Sequence, residues 1–255
     1  MVRDSTTIDT RLIERHAARA WPAEEAREED GWLLRHTPGV PRRRSNSALP
    51  VGLGNSLLDG LERVEQYYAG HGLPVAVQVA PAEEHTALDA ALDARGYRRD
   101  SATLVCTAPT AAVADAARPA TPLDVTLAEH PTRAWLDAYA ELEPGGTERE
   151  AAEQLFHRIG GPAAHLGVER DGRLVGIGLV VAAPGCAGVF CMATDPAHRR
   201  RGIAGAILHV GARWAQARGA GTLYLQVTAG NTTARRLYER VGFEVSHSYH
   251  YRLKP

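Results

Sequence analysis

The chain reads as an α/β (α+β) protein in which strands and helices alternate, built from two related units. Three observations predict this. Apolar residues switch repeatedly between strand and helix periodicity. Gln78-Val79 with Gly96-Tyr97 recurs as Gln226-Val227 with Gly242-Phe243, at separations of 148 and 146 residues. Between the two occurrences lies a stretch, 107–122, of very different composition.

Taken in order, residues 64–99 predict a helix, a glycine stop, a strand holding Gln78-Val79, a second helix and Gly96 before an aromatic. Thirteen of the sixteen residues 107–122 are Ala, Pro or Thr. Such a segment offers little apolar surface against its ordering entropy and reads as a semi-extended linker, with room for a short central helix at most. The implied division is a unit over 1–106, a linker over 107–122 and a second unit over 123–255. In the second unit, 124–129 has strand character, and 133–143 and 148–159 carry helical spacing. Asp171-Gly172 between two apolar runs predicts a hairpin, because these residues tolerate positive φ. A third run, 188–194, closes at Asp195-Pro196. Residues 202–218 form the strongest helix pattern, stopped by Gly219. A strand over 222–228, a helix over 232–241 and an alternating closing strand complete the order.

Composition narrows the function. Lys and Arg number 29 against 30 Asp and Glu, a formal charge of -1, which argues against nucleic acid or an anionic membrane as partner. Three cysteines without CxxC spacing indicate neither a disulfide framework nor a zinc ribbon. His247 and His250 alternate onto opposite faces of a strand, so no metal site is expected. No apolar stretch reaches the roughly 18 residues of a membrane span, and the first residues lack a signal peptide's apolar core. A cytoplasmic enzyme or binding protein is the expectation.

The chemistry concentrates at Asp195–Gly205, between a strand and an amphipathic helix. A helix start offers unsatisfied N–H groups and partial positive charge, which suits a phosphate. Gly202, Ala204 and Gly205 leave the main chain open to close approach, and Arg199, Arg200 and Arg201 add charge beside it. The spacing matches neither the phosphate loop of nucleotide triphosphatases nor the dinucleotide fingerprint. Here the chain resembles the GCN5-related N-acetyltransferase (GNAT) family, whose motif of Arg or Gln, two residues, Gly, one residue, Gly or Ala is met by Arg199, Gly202 and Ala204. The family's second motif is matched by Asn231, Ala234, Leu237, Tyr238, Gly242 and Phe243. The resemblance covers roughly residues 121–255.

The resemblance implies a mixed, twisted sheet with a splayed central strand pair, here 188–194 and 222–228, that takes acetyl-CoA as cosubstrate. Met192, Ala193 and Thr194 would line its pantetheine arm, and Arg199 through Gly205, Ile203 included, would hold the diphosphate. Asn231 and Ala234 would approach the cofactor, although Asn231 also reads as a helix cap. Tyr238 would protonate the departing thiolate after direct attack by a primary amine in a ternary complex. Glu141, Glu143 and Glu148 are candidates for the base that frees the amine of its proton. Cys191 reads as a packed small hydrophobe. The first unit departs from the pattern: it lacks the arginine motif, and Leu92 stands where Tyr238 does, so it is expected to be degenerate. Trp32, Arg44, Asn46 and Tyr68 of that unit are candidates for shaping the acceptor groove, with core or surface roles as alternatives. The acceptor would be a small-molecule or peptide amine, and the assembly a pseudo-dimeric monomer or a homodimer. The competing reading is an acyl-CoA-binding sensor without transferase activity.

Overall fold

The computed structural model describes residues 8–40, 42–52, 57–143 and 149–254. The first unit runs α1 (Thr10–Ala20), β1 (Glu25–Glu29), β2 (Trp32–His36), β3 (Ala48–Pro50), α2 (Leu57–Gly70), β4 (Val75–Val79), α3 (Thr86–Ala94) and β5 (Arg98–Pro109). A short helix, α4 (Thr110–Ala116), follows without a break. The second unit runs β6 (Thr126–Ala128), α5 (Arg133–Leu142), α6 (Arg149–His157), β7 (Ala163–Arg170), β8 (Arg173–Ala183) and β9 (Cys186–Thr194). It ends with α7 (Ile203–Gln216), β10 (Thr222–Thr228), α8 (Thr232–Arg240) and β11 (Glu244–Lys254).

Local chemistry sets these boundaries. Asp171 and Gly172 take φ of 52° and 77° and turn β7 into β8. Asp30 and Gly31, at 47° and 80°, do the same between β1 and β2. Two successive positive φ values match the twist of a hairpin, and glycine carries the second at no steric cost. Thr132 caps α5 by accepting from the Trp135 amide at 3.2 Å, and Asn231 caps α8 by accepting from the Ala234 amide at 3.1 Å. Past α7, Gly219 is left-handed and the Ala220 amide returns to the Ala215 carbonyl at 3.1 Å, satisfying an end carbonyl of the helix.

The strands form one mixed sheet in the order β1-β2-β3-β4-β11-β5-β10-β9-β8-β7-β6. Its arrangement is near-symmetric about the central β11–β5 pair. In each unit a strand runs parallel to the next (β3 with β4, β9 with β10), but the closing strands are exchanged. The first unit's β5 pairs with β10, Gln226 opposite Val105, and the second unit's β11 pairs with β4, His250 opposite Val79. The duplication expected from sequence is therefore present as fold, with the units interlocked rather than side by side.

The semi-extended linker expected over 107–122 is replaced in part by ordered structure. Thr107 to Pro109 are the end of β5, paired with Tyr224 to Thr222 of β10. Thr110–Ala116 is helical and packs on α7, burying Val113, Ala114 and Ala117. The reason is close approach. The Ala117 carbonyl lies 3.6 Å from where a Cβ would stand on Gly205, and His209 Nδ1 meets the Ala114 carbonyl at 2.6 Å. Small residues gain by proximity the contact that large ones gain by reach.

Two polar clusters, the first part-buried and the second buried, fasten the exchange. Asp89 of α3 accepts from Arg252 Nε at 2.7 Å and lies 2.6 Å from His250 Nε2, both on β11. On the opposite face, Glu14 of α1 accepts from Gln78 Nε2 at 3.0 Å and lies 2.9 Å from His247 Nε2. Arg35 extends that chain, donating to Gln78 Oε1 and the Ser47 hydroxyl, each at 2.7 Å. Such mutual satisfaction is what makes buried charge tolerable. His247 and His250 thus face different helices.

Candidate active site

The site begins where the sheet opens. Pairing between β9 and β10 runs from Cys186 opposite Thr222 to Val189 opposite Leu225 and ends there, although β9 continues to Thr194 and β10 to Thr228. Beyond that point β10 pairs only on its other side, with β5. A bulge drives the parting. Cys191 has φ of 51°, and the β8–β9 register slips between Leu179 opposite Phe190 and Ile177 opposite Ala193, so β9 spends one extra residue. A bulge bends its strand and adds local twist. Met192, Ala193 and Thr194 are half-buried on the unpaired length of β9, so their main-chain groups toward the wedge are not committed to β10. Gln226 of β10, just past the last pair, holds a buried Oε1 with no hydrogen-bond partner among the described residues.

Below the wedge, Asp195 ends β9. It accepts from the Ala197 amide at 2.8 Å and pairs with Arg173; that amide, then the Arg173 charge, holds its carboxyl below the usual range. The chain then winds through left-handed Arg200 (φ 64°) and Gly202 (φ 79°) into Ile203, the first residue of α7. Gly202 has no side chain to cap the helix, so the first-turn amides, those of Ala204 and Gly205 among them, are offered to solvent or to a ligand. Arg199, Arg200 and Arg201 are exposed, and among the described residues none pairs with a carboxylate. This donor set fits a diphosphate: open amides at a helix start, flanked by guanidinium groups of which, among the described residues, only Arg199 is engaged, through Nε on the Thr194 carbonyl at 3.4 Å.

The depth of that helix start is set by glycines the sequence reading passed over. A Cβ on Gly176 of β8 would stand 2.3 Å from Ile203 Cγ2, and one on Gly178 would stand 2.6 Å from Ile207 Cγ2 and 2.8 Å from Met192 Sδ. Glycine inside a strand between branched residues is the available signal, since it marks a close approach.

Tyr238 of α8 is buried, 8% exposed, with its ring edge-on to Phe243 at 5.8 Å between centroids. Burial, reinforced by Cys106 and Glu143, pushes its hydroxyl up to about 12, so it stays protonated through the neutral range. It lines a cavity of about 360 Å³ with Cys106 of β5, Phe243 just before β11 and Val245 of β11. Ala234 is half-buried against the same core, whereas Asn231 is exposed and engaged as the α8 cap.

Of the three candidate bases, the structure separates two. Glu141 is exposed and paired with Arg173 at 3.0 Å. Glu143, at the end of α5, is half-buried and near enough to act on both Tyr238 and Cys191. Burial pushes its carboxyl above the ordinary glutamate range, with Arg42 and Arg44 opposing. Glu148 lies outside the described residues. Cys191 is also raised well above its usual value by burial, which leaves a protonated, weakly nucleophilic thiol.

The first unit sends one loop into this site. Between β2 and β3, Arg42 lies 3.8 Å from Glu143 and its guanidinium sits 5.9 Å from the Tyr139 ring centroid. Arg44 sits 5.5 Å from the Trp21 centroid and 5.8 Å from that of Phe190, the residue before the bulge. Asn46 shapes the loop, accepting from the Thr37 amide at 2.9 Å and donating to the carbonyls of Val40 and Arg42 at 2.6 and 3.1 Å. Trp32 and Tyr68, by contrast, are core residues of the first unit, and Leu92 is fully buried there. Arg42 and Trp21 escaped the sequence reading, because nothing local marks a loop as serving a site a hundred residues away.

Residues 7–252 match the family described as "Probable histone acetyltransferase Rv0428c C-terminal". An uncharacterized N-acetyltransferase of Bacillus subtilis, YobR, is 28% identical over 254 residues, covering 96% of this chain and 99% of its own. Among solved structures, a GCN5-related N-acetyltransferase from Kribbella flavida superposes with a TM-score of 0.71 at 17% identity, over 98% of this chain and 97% of that one. A tandem GNAT protein from the clavulanic acid biosynthesis pathway gives 0.65 at 14%, over 94% and 86%. At those identities the structural likeness speaks for the fold. The match along nearly the whole chain speaks for descent: the chain belongs to the Rv0428c C-terminal family of GCN5-related N-acetyltransferases.

Proposed function

We propose that the chain moves an acetyl group from acetyl-CoA to a primary amine by direct attack in a ternary complex. The observation that carries this reading is the wedge between β9 and β10, which opens above an uncapped helix start and beside a buried tyrosine. The first-turn amides of α7 with Arg199, Arg200 and Arg201 hold the diphosphate, and the free edge of Met192–Thr194 pairs the pantetheine arm. When bound, acetyl-CoA supplies an activated acyl carbon on a thiol leaving group.

A free alkyl amine has a pKa near about 10 and must lose a proton to attack. Glu143, its carboxyl raised by burial, accepts that proton. As the nitrogen–carbon bond forms and the carbon–sulfur bond breaks, Tyr238 gives its proton to the sulfur; the nitrogen then loses its second proton, which restores the tyrosine hydroxyl through solvent, and Glu143 releases the first to bulk water. The products are the acetylated amine and free CoA. A main-chain amide near the bulge stabilises negative charge on the acyl oxygen, as a fixed dipole away from water.

Calorimetry with CoA, followed by thiol release from acetyl-CoA in the presence of an amine panel, tests this reading. Uptake with transfer supports it. Uptake without transfer to any amine makes the chain an acyl-CoA sensor, and absence of uptake by folded protein removes both readings.

A further inference from the structure

We infer that the amine accepted by this site also carries a carboxylate, held by Arg44 and Arg42 of the β2–β3 loop; this rests on the acetyl transfer proposed above.

Three observations lead there. Arg44 sits beside the paired rings of Trp21 and Phe190, next to the bulge where the wedge opens; its side chain hydrogen-bonds Tyr249, and among the described residues no carboxylate lies within ion-pair distance of it. A guanidinium has five N–H donors, so one drawn partly out of bulk water beside aromatic rings and bonded to a single hydroxyl keeps donors that match a carboxylate. Second, the loop is pre-shaped: Asn46 ties it at three main-chain points, so little ordering is left for binding to offset. Third, the local charge is unbalanced. Beside the bulge, Arg42 lies 3.8 Å from Glu143, and Arg44 brings a second cation to the same neighbourhood of Cys191. An acceptor that is cationic throughout, such as a lysine-rich tail, meets like charge there. An amine with a carboxylate a few bonds away meets Glu143 with one end and the arginines with the other.

The test uses the full chain and pairs of acceptors that differ only in the carboxylate: L-lysine with cadaverine, glycine with glycinamide, and a lysine-rich peptide alongside. The expected result is a kcat/KM at least about 30-fold higher for the carboxylate member. Arg44→Gln collapses that ratio chiefly through KM, and Arg42→Gln lowers it less. Because Arg44 packs beside aromatic rings, the wild-type ratio stands as a readout that needs no variant to fold. In parallel, the CoA-loaded protein is titrated with N-acetylglycine and N-acetylglycinamide, and only the former is taken up. Equal turnover within each pair, preference for the lysine-rich peptide, or equal uptake of the two products overturns the inference while leaving acetyl transfer intact. Failure to take up CoA strikes the transfer itself.

Discussion

Replacing Gly176 with alanine tests how the sheet positions the helix that begins at Ile203. The new Cβ would stand 2.3 Å from Ile203 Cγ2, whereas carbon atoms rest about 3.5–4.0 Å apart. The gap to be opened is therefore more than about 1 Å. Ile203 cannot swing clear, because a β-branched side chain in a helix is confined to essentially one χ1 well. The first turn of α7 must lift, carrying the amides that follow Gly202. Overpacking of this kind costs about 1–3 kcal/mol, and for a chain this size each kcal/mol lowers Tm by about 2–4 °C. A displacement of about 1 Å in a binding constellation can cost on the order of 10²-fold. Calorimetric titration with CoA and a thermal melt of Gly176→Ala should thus show weakened affinity together with a Tm loss of several degrees. Gly178→Ala presses on Ile207 one turn further along and on the flexible end of Met192, so it should cost stability while leaving the first-turn amides of α7 in place. Gly221→Ala, where the nearest atom is 3.8 Å away, should do neither. Unchanged Tm and affinity in Gly176→Ala would refute the argument that β8 sets the depth of the helix start.

Tyr238→Phe keeps the ring packed against Phe243, so the melt should be unmoved while turnover falls about 10²–10⁴-fold; an unchanged rate takes the hydroxyl out of the mechanism. Glu143 acts only when ionised and its pKa is raised, so kcat/KM should fall as pH drops through a value above the ordinary glutamate range. Glu143→Gln should remove that acid limb together with most of the rate, and a limb that survives in the variant assigns the base elsewhere. Asp89 is held down from 3.8 to about 2, first by the Arg252 hydrogen bond and then by His250, so its stabilisation is present above the unfolded pKa and lost as pH falls from about 4 to 2. Discounted for partial exposure this is about 1–2 kcal/mol, and urea unfolding of Asp89→Asn at pH 7 should show it; equal stability there would contradict the clasp between α3 and β11.

The parts legible from sequence are those where the backbone itself demands a residue. Asp171-Gly172, Gly202, Gly219 and the Asn231 cap each answer a local requirement of positive φ or an orphan amide, and the hairpin and helix ends fall where these residues predict. The strand exchange left no such mark. β5 and β11 follow equivalent helices with similar alternation, and either pairing would bury the same faces, so the choice rests on contacts over a hundred residues apart. The alanine-rich segment misleads for a related reason: its apolar surface is too small to predict a packed helix until Gly205 is known to lie beneath it. Glu141 and Glu143 look alike on paper and differ only once Arg173 claims the former and Arg42 approaches the latter.

The exchange of closing strands has a temporal side. When the ribosome has finished β4, the strand that will complete its edge, β11, lies some 165 residues ahead, and β5 emerges long before β10 exists to receive it. Neither half can reach its native sheet while the other is unwritten, which favours a late, concerted collapse dominated by non-local pairing. Nor can a nuclease cut in the gene liberate a working module: shortening the message from its 3′ end removes the flank of β4, the older half's own sheet, before it touches the wedge.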